Sequence, residues 1–318
     1  MAQSFLMIPL FFFLFGIVIG SFLNVCITRI PEGLSIVHPA SRCPRCQTPI
    51  KPYDNIPILS WFLLRGKCRH CGLPISPLYP IIEFLTGLFF VLTYYNFGIT
   101  LPTFKWLFFG CLIIVLFATD LRVRLLPDAV TFFGLGLGLA FATRVPANDP
   151  AGHMLLARLQ TAFPLTYFHT HPAAQHLFAS ALSVLDALLG AAFGSLLLLA
   201  AALLYKLVRH RDGMGMGDVK MMAMIGAFLG ITGAFLTILF GTLLGSIVGI
   251  ATVLTLYSSG WKRGLAIRAA RRGLAHGNAN SIRLAIASRY QFPLGAFLGL
   301  AALFVVYALP HLLRHLFL

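Results

Sequence analysis

A chain of 318 residues in which 58% of the side chains are hydrophobic and only 10% are charged cannot cover itself with polar surface in water. Soluble globular classes are therefore excluded, and an all-α integral membrane protein is expected, because helices satisfy every backbone group inside hydrocarbon. The formal charge of +15 marks loops retained in the cytosol of such a chain rather than a nucleic-acid surface, and no nucleic-acid partner is expected.

Uninterrupted apolar stretches near the length of about 20 residues that crosses a bilayer recur along the chain. The first, Phe5 to Val25, lacks the basic start and small-residue cleavage site of a removable signal peptide and reads as a retained helix. Further spans are expected at Leu78–Tyr95, Pro102–Thr119, Leu125–Ala142, Ala179–Leu207, Asp218–Gly230, Thr232–Tyr257 and Phe292–Leu313, which makes about eight. The uncharged run from Met221 to Tyr257 would be roughly 55 Å of helix, too long for one crossing, so a break is expected near Ile231-Thr232-Gly233. The resulting division is a first transmembrane helix (1–27), a cytosolic cysteine-bearing loop domain (28–77), a membrane bundle (78–257) with an external insertion (143–178), a basic cytosolic segment (258–291) and a last helix (292–318). With the cysteine loop inside, 20 of the 24 Lys/Arg fall in cytosolic segments, leaving Lys105, Arg144, Arg158 and Arg314 outside.

Two of these segments stand apart. The insertion carries His153, His169, His171 and His176, which read as scattered surface histidines more readily than as a metal site. The basic segment reads either as an amphipathic element lying on anionic lipid or as a solvated topogenic loop.

The stretch Gly213-Met214-Gly215-Met216-Gly217-Asp218-Val219-Lys220 delivers one carboxylate to the mouth of the longest uncharged run. An acid there is ordinary helix capping taken alone, but ionisable groups held at membrane helices are candidates for function. Alternating glycines let the backbone take φ > 0 and admit another chain closely, which gives Gly215, Gly217 and Lys220 a site-shaping role. A second aspartate, Asp120, ends an apolar run, and the threading puts both acids on the cytosolic face. Two carboxylates at one depth beside a glycine turn have the ingredients of an aspartic protease, one acting as base toward a water and the other polarising the scissile carbonyl; such a pair titrates as a unit. Asp128, eight residues on, and Asp212 are rivals. Asp186 should lie toward the external side.

Cys43-Pro-Arg-Cys46 and Cys68-Arg-His-Cys71 form two knuckles of the kind that give four thiolates to a structural zinc. Disulfides are the alternative, but a cytosolic loop is kept reduced. Cys26 and Cys111 read as small buried apolar residues.

The Gly215-Met216-Gly217-Asp218 element and the Met221–Gly230 run that follows resemble the signature of the bacterial type IV prepilin peptidases, membrane aspartic proteases that share Gly-x-Gly-Asp with presenilin-type proteases. The likeness extends to Gly20-Ser21-Phe22-Leu23-Asn24-Val25, both Cys-x-x-Cys pairs, Leu64-Arg65-Gly66-Lys67-Cys68, Tyr79-Pro80-Ile81-Ile82-Glu83, Asp120 and Leu126-Pro127-Asp128, all in the family's order. It implies that Asp120 and Asp218 are the catalytic pair of an inner-membrane enzyme that cuts the basic leader of prepilins or pseudopilins after a glycine at the cytosolic membrane face. It also implies S-adenosylmethionine-dependent methylation of the exposed amine, usually phenylalanine, associated with the cysteine loop. Asn24 and Glu83 are the guesses for the methyl-donor site. The aspartates stand 98 positions apart, farther than the family leads one to expect, and the tail after Gly260 is longer and more basic. Rival readings are a proton-coupled transporter using the same aspartates, which predicts charges near mid-membrane, and a non-enzymatic scaffold anchored by its zinc module, which leaves the glycine turn unexplained.

Overall fold

The computed structural model describes residues 2–145, 172–210, 215–257 and 293–312. Among these the protein is helical, with no strand and only two isolated β-bridges, Arg42 to Pro49 and Lys67 to Pro74. Helix α1 (Ala2–Arg29) leads into the cysteine loop, which holds two 3-10 turns (Ile30–Glu32 and Pro52–Asp54) and one short α-helix, α2 (Leu59–Leu63). Helices α3 (Leu78–Phe97), α4 (Leu101–Val123) and α5 (Asp128–Ala142) follow on short connections, then α6 (Pro172–Arg209), α7 (Met216–Tyr257) and α8 (Leu294–Tyr307). Five of these are long and apolar enough to cross a membrane, while α5 and α8 are shorter apolar helices. Among the described residues there are thus five helices of spanning length, one of them the broken α7, and two short apolar ones, α5 and α8, at positions where crossings were expected. Residues 146–171 and 258–292, Asp212 and Gly213 lie outside the description.

Helix α7 is interrupted as its length required. The break is at Gly230, φ 74° and ψ −174°, rather than at Ile231-Thr232-Gly233. There the Asp186 carboxylate of α6 accepts a hydrogen bond from the Ile231 amide at 3.2 Å, satisfying a donor that the broken helix orphans. A Cβ at Gly230 would collide with that carboxylate, and one at Gly190 or Gly226 would collide with facing backbone. Small residues therefore set the close approach of α6 to α7, as expected where lipid supplies no hydrophobic drive between helices.

The core lies where α4, α7 and α8 meet: Phe109, Ile113 and Leu116 pack with Met221, Ile225, Phe228 and Leu298. Helix α8 is tied at its far end by a 2.9 Å hydrogen bond between the Tyr307 and Thr93 hydroxyls. Lys105, which the threading leaves outside, stands at the start of α4. It is 1% exposed, with its ammonium 4.7 Å from the Trp106 ring centroid, which offers a cation–π contact in place of water.

Candidate active site

Helix α4 carries its apolar run through Thr119, places Asp120 in its last turn and stops at Arg124, whose left-handed conformation (φ 55°) sends its amide back to the Asp120 carbonyl at 3.0 Å. Leu126 then turns inward and Pro127 starts α5. Asp218 stands in the first turn of α7. Because α3 and α4 follow the cysteine loop as an antiparallel pair, the end of α4 lies at the loop's end of the bundle.

The two carboxylates meet over a third element. A Cβ built on Gly295, in the first turn of α8, would lie 3.1 Å from Asp120 Oδ2 and 3.1 Å from Asp218 Oδ1. Twice that distance, about 6.2 Å, bounds the separation of those oxygens, within reach of one bridging water. Asp120 Oδ2 also accepts the Ala296 amide at 2.8 Å. Asp120 is buried and Asp218 half-buried.

The other expected residues fall into place around this pair. Gly217 has Leu126 against it, 3.0 Å from where its Cβ would be, while Gly215 faces open space. Neither takes the positive φ expected of a glycine turn; what Gly217 supplies is room for Leu126. Lys220 makes a two-pronged ion pair with Asp128, at 2.8 and 2.7 Å, so Asp128 pairs with a cation at the surface, with a side chain 58% exposed. Asp186 is held at the Gly230 break, about 18 Å of helix from Asp218. On the far side of Leu294 a cleft of about 630 Å³ opens between the second half of α7 and the start of α8, lined by Thr242, Gly245, Ser246 and Phe297.

Missed by sequence reasoning were Gly295 and Ala296. The available signal was a glycine just after Pro293 at a helix start, where alanine would be worth roughly 1 kcal/mol more to a helix, so that a glycine there asks for a reason.

The cysteine loop is a second centre. Residues 41–50 and 66–75 repeat the same turn, 25 positions apart. The Cys43 and Cys68 amides donate to Thr48 and Leu73, the Gln47 and Gly72 amides return to the Cys43 and Cys68 carbonyls, and Ile50 and Ile75 bond to Ser41 and Gly66. Gln47 and Gly72 both have positive φ. The four Sγ atoms lie within 4.8 Å of one another, with Cys43 and Cys71 at 3.9 Å, and all four thiols are free. Zinc–sulfur bonds of about 2.3 Å at tetrahedral angles put sulfurs roughly 3.8 Å apart, so the cluster fits zinc. The Thr48 hydroxyl and amide hold the Cys46 thiol below its ordinary value while burial and the neighbouring thiols push Cys71 up, so the sulfurs titrate together.

Asn24 and Glu83 come together beneath this loop. Glu83 accepts the Ile58 amide at 2.7 Å, while Asn24 donates to the Tyr79 carbonyl at 3.0 Å. These two bonds tie the loop (Ile58) and α1 (Asn24) to the start of α3 (Tyr79, Glu83).

Residues 14–97 match the model of the bacterial peptidase A24 N-terminal domain, and residues 107–250 match that of the type IV leader peptidase family. Among curated relatives, proteins named prepilin leader peptidase/N-methyltransferase are 37% identical in Myxococcus xanthus, over 77% of this chain and 63% of that protein, and 34% identical in Klebsiella pneumoniae, over 69% and 84%. The one from Bacillus subtilis is 33% identical over 76% of this chain and 82% of its own length. No solved structure matches.

Proposed function

Because this chain belongs to the type IV leader peptidase family, we infer that it is a membrane aspartic endopeptidase that removes the leader of prepilins or pseudopilins and methylates the new amino terminus. Asp120 and Asp218 are the proposed catalytic pair. The observation that carries this is their convergence at Gly295 from helices 98 positions apart in sequence, at the loop end of the bundle.

One carboxylate, ionised, takes a proton from a water held between the pair while the other, protonated, hydrogen-bonds the scissile carbonyl. The water oxygen bonds to the carbonyl carbon; the C–N bond then breaks and the amine leaves with a proton from the dyad. A pilin leader is basic and its mature start is an apolar helix, so cleavage at the inner face of the cytoplasmic membrane suits a dyad at the end of a helical bundle. Placement at the bundle's end also favours a peptidase over a proton-coupled transporter, which needs charges at mid-membrane.

Cys43, Cys46, Cys68 and Cys71 would hold a structural zinc that supplies the stability of a loop too small and polar to bury a core. Methyl transfer draws on S-adenosylmethionine, and no step of it is assigned to Asn24 or Glu83. The test is to incubate the detergent-purified protein with a synthetic prepilin amino-terminal peptide, with and without S-adenosylmethionine, and read product masses. A leaderless product that gains a methyl group only with the donor is expected; an intact peptide in both arms overturns the reading.

A further inference from the structure

The first turn of α8 lies outside both matched segments, 14–97 and 107–250, yet it touches both acids. A helix begins with amides that have no partner within it, and these are ordinarily capped by a side chain at the residue before the first turn. Here that residue is Pro293, with no capping hydrogen bond of its own. The Ala296 amide is capped instead from another helix, by Asp120, and an oxygen of Asp218 lies equally close to the Gly295 Cβ position. The positive end of α8 thus faces the place where two negative groups converge, an arrangement that favours carboxylates held together.

We propose that Gly295 is a positioning residue for the aspartate pair: its bare Cα lets both carboxylates close on one point, beside the Ala296 amide that holds Asp120. This rests on the peptidase reading of the pair and adds a third helix to the site. A methyl group at Gly295 would stand 3.1 Å from an oxygen of each carboxylate and 2.8 Å from Leu126 Cδ1. The first two contacts are tighter than carbon and oxygen ordinarily accept, so the acids move apart. Displacements of about 1 Å in a reacting constellation are enough for a 10²-fold loss of rate. Gly299, one turn on, is a different case, since a methyl there meets only Ile113 and Met221 side chains, at 3.1 and 3.3 Å.

The experiment uses the full chain in detergent and two readouts. For cleavage of a prepilin peptide, Gly295→Ala should lower kcat by about 100-fold with KM within about threefold, while methylation of a leaderless peptide and zinc content stay at wild-type levels. Gly299→Ala should cleave near normally. Adding Leu126→Ala to Gly295→Ala relieves the leucine contact alone and should not restore kcat; restoration, wild-type kcat in Gly295→Ala, or an equal loss in Gly299→Ala overturns the proposal.

The second readout is independent of activity. The drop in Tm caused by Gly295→Ala should shrink when the same change is made in an Asp120→Ala, Asp218→Ala background, where the opposing oxygens are gone. If Gly295→Ala does not fold alone, its recovery in that background is the expected result. Equal drops in both backgrounds, or failure to fold in both, overturn the proposal. If the wild-type protein cuts no prepilin peptide, the peptidase reading fails, and the Tm comparison still decides whether Gly295 is fitted to the acids.

Discussion

The cysteine loop and the aspartate pair are built in opposite ways. Every sulfur in the loop comes from two ten-residue segments of one pattern, Ser41–Ile50 and Gly66–Ile75, each folded by the same backbone hydrogen bonds within itself. The pair comes from the end of α4, the start of α7 and, as its shared floor, the start of α8, and no local pattern contains all three. A site made of local turns is announced by spacing. A site made by convergence exists only once the bundle has packed, and each part can be changed without unfolding the others.

That contrast predicts separable losses. The largest belongs to the acids: Asp120→Asn and Asp218→Asn should each lower leader cleavage by about 10³-fold or more, since an amide cannot cycle through the ionised state a base requires. Bound zinc, measured on the same preparations, should be unchanged. Zinc lost together with cleavage would mean that the two centres are not independent.

Next comes the metal. In Cys43→Ser, Cys46→Ser protein the apparent binding free energy of such a site, about 10 kcal/mol or more, is removed, and the loop should unfold as a unit. Methylation should then fall much further than cleavage, because the acids are held by bundle packing. Stoichiometric zinc persisting in the variant would rule out a four-thiolate site. Equal losses of both activities at normal protein levels would show that the loop supports the acids as well.

A smaller effect is expected at Asp128, whose partner is Lys220 rather than the pair. Asp128→Asn loses an ion pair at the surface and should lower cleavage by no more than about tenfold, in keeping with the modest worth of exposed pairs. A dead Asp128 variant beside an active Asp120→Asn would mean that the dyad is misassigned. Smallest of all is Arg69→Ala, which removes the clamp of Arg69 on Asp54 in the loop. Arg69 holds the Asp54 carboxyl below its ordinary value of 3.8, so the clamp's contribution is complete at neutral pH and is lost only as pH falls through that lowered value. Zinc content at pH 7 should therefore match wild type, and a large loss would show that the clamp, rather than the two turns, organises the sulfurs.

Much of the architecture was legible because membrane chemistry is severe. Apolar length fixed where helices run, and the excess length of Met221–Tyr257 required a break; the helix breaks at Gly230, within a residue or two of the expected position. The role of the glycines beside Asp218 was legible in kind but wrong in detail. Gly217 is needed because Leu126 fills the space of its missing side chain, a contact between residues 91 positions apart that no turn pattern encodes. Lys105 was legible as a charge that the threading leaves outside, while its burial beside the Trp106 ring is decided by packing.

By itself the sequence determined the helical membrane class, the two cysteine turns and the identity of two acids at helix ends. These follow from hydrophobic length and from spacing along the chain, which depend on neighbours within a few turns. Only the tertiary structure decided that Asp120 and Asp218 come together, that Asp128 is held away by Lys220, and that Gly295 and Ala296 lie beneath the pair. The physical reason is that burial and hydrogen-bond direction are fixed by the packing of α4, α7 and α8, whose contacts join residues as distant in sequence as Asp120 and Ala296, 176 positions apart.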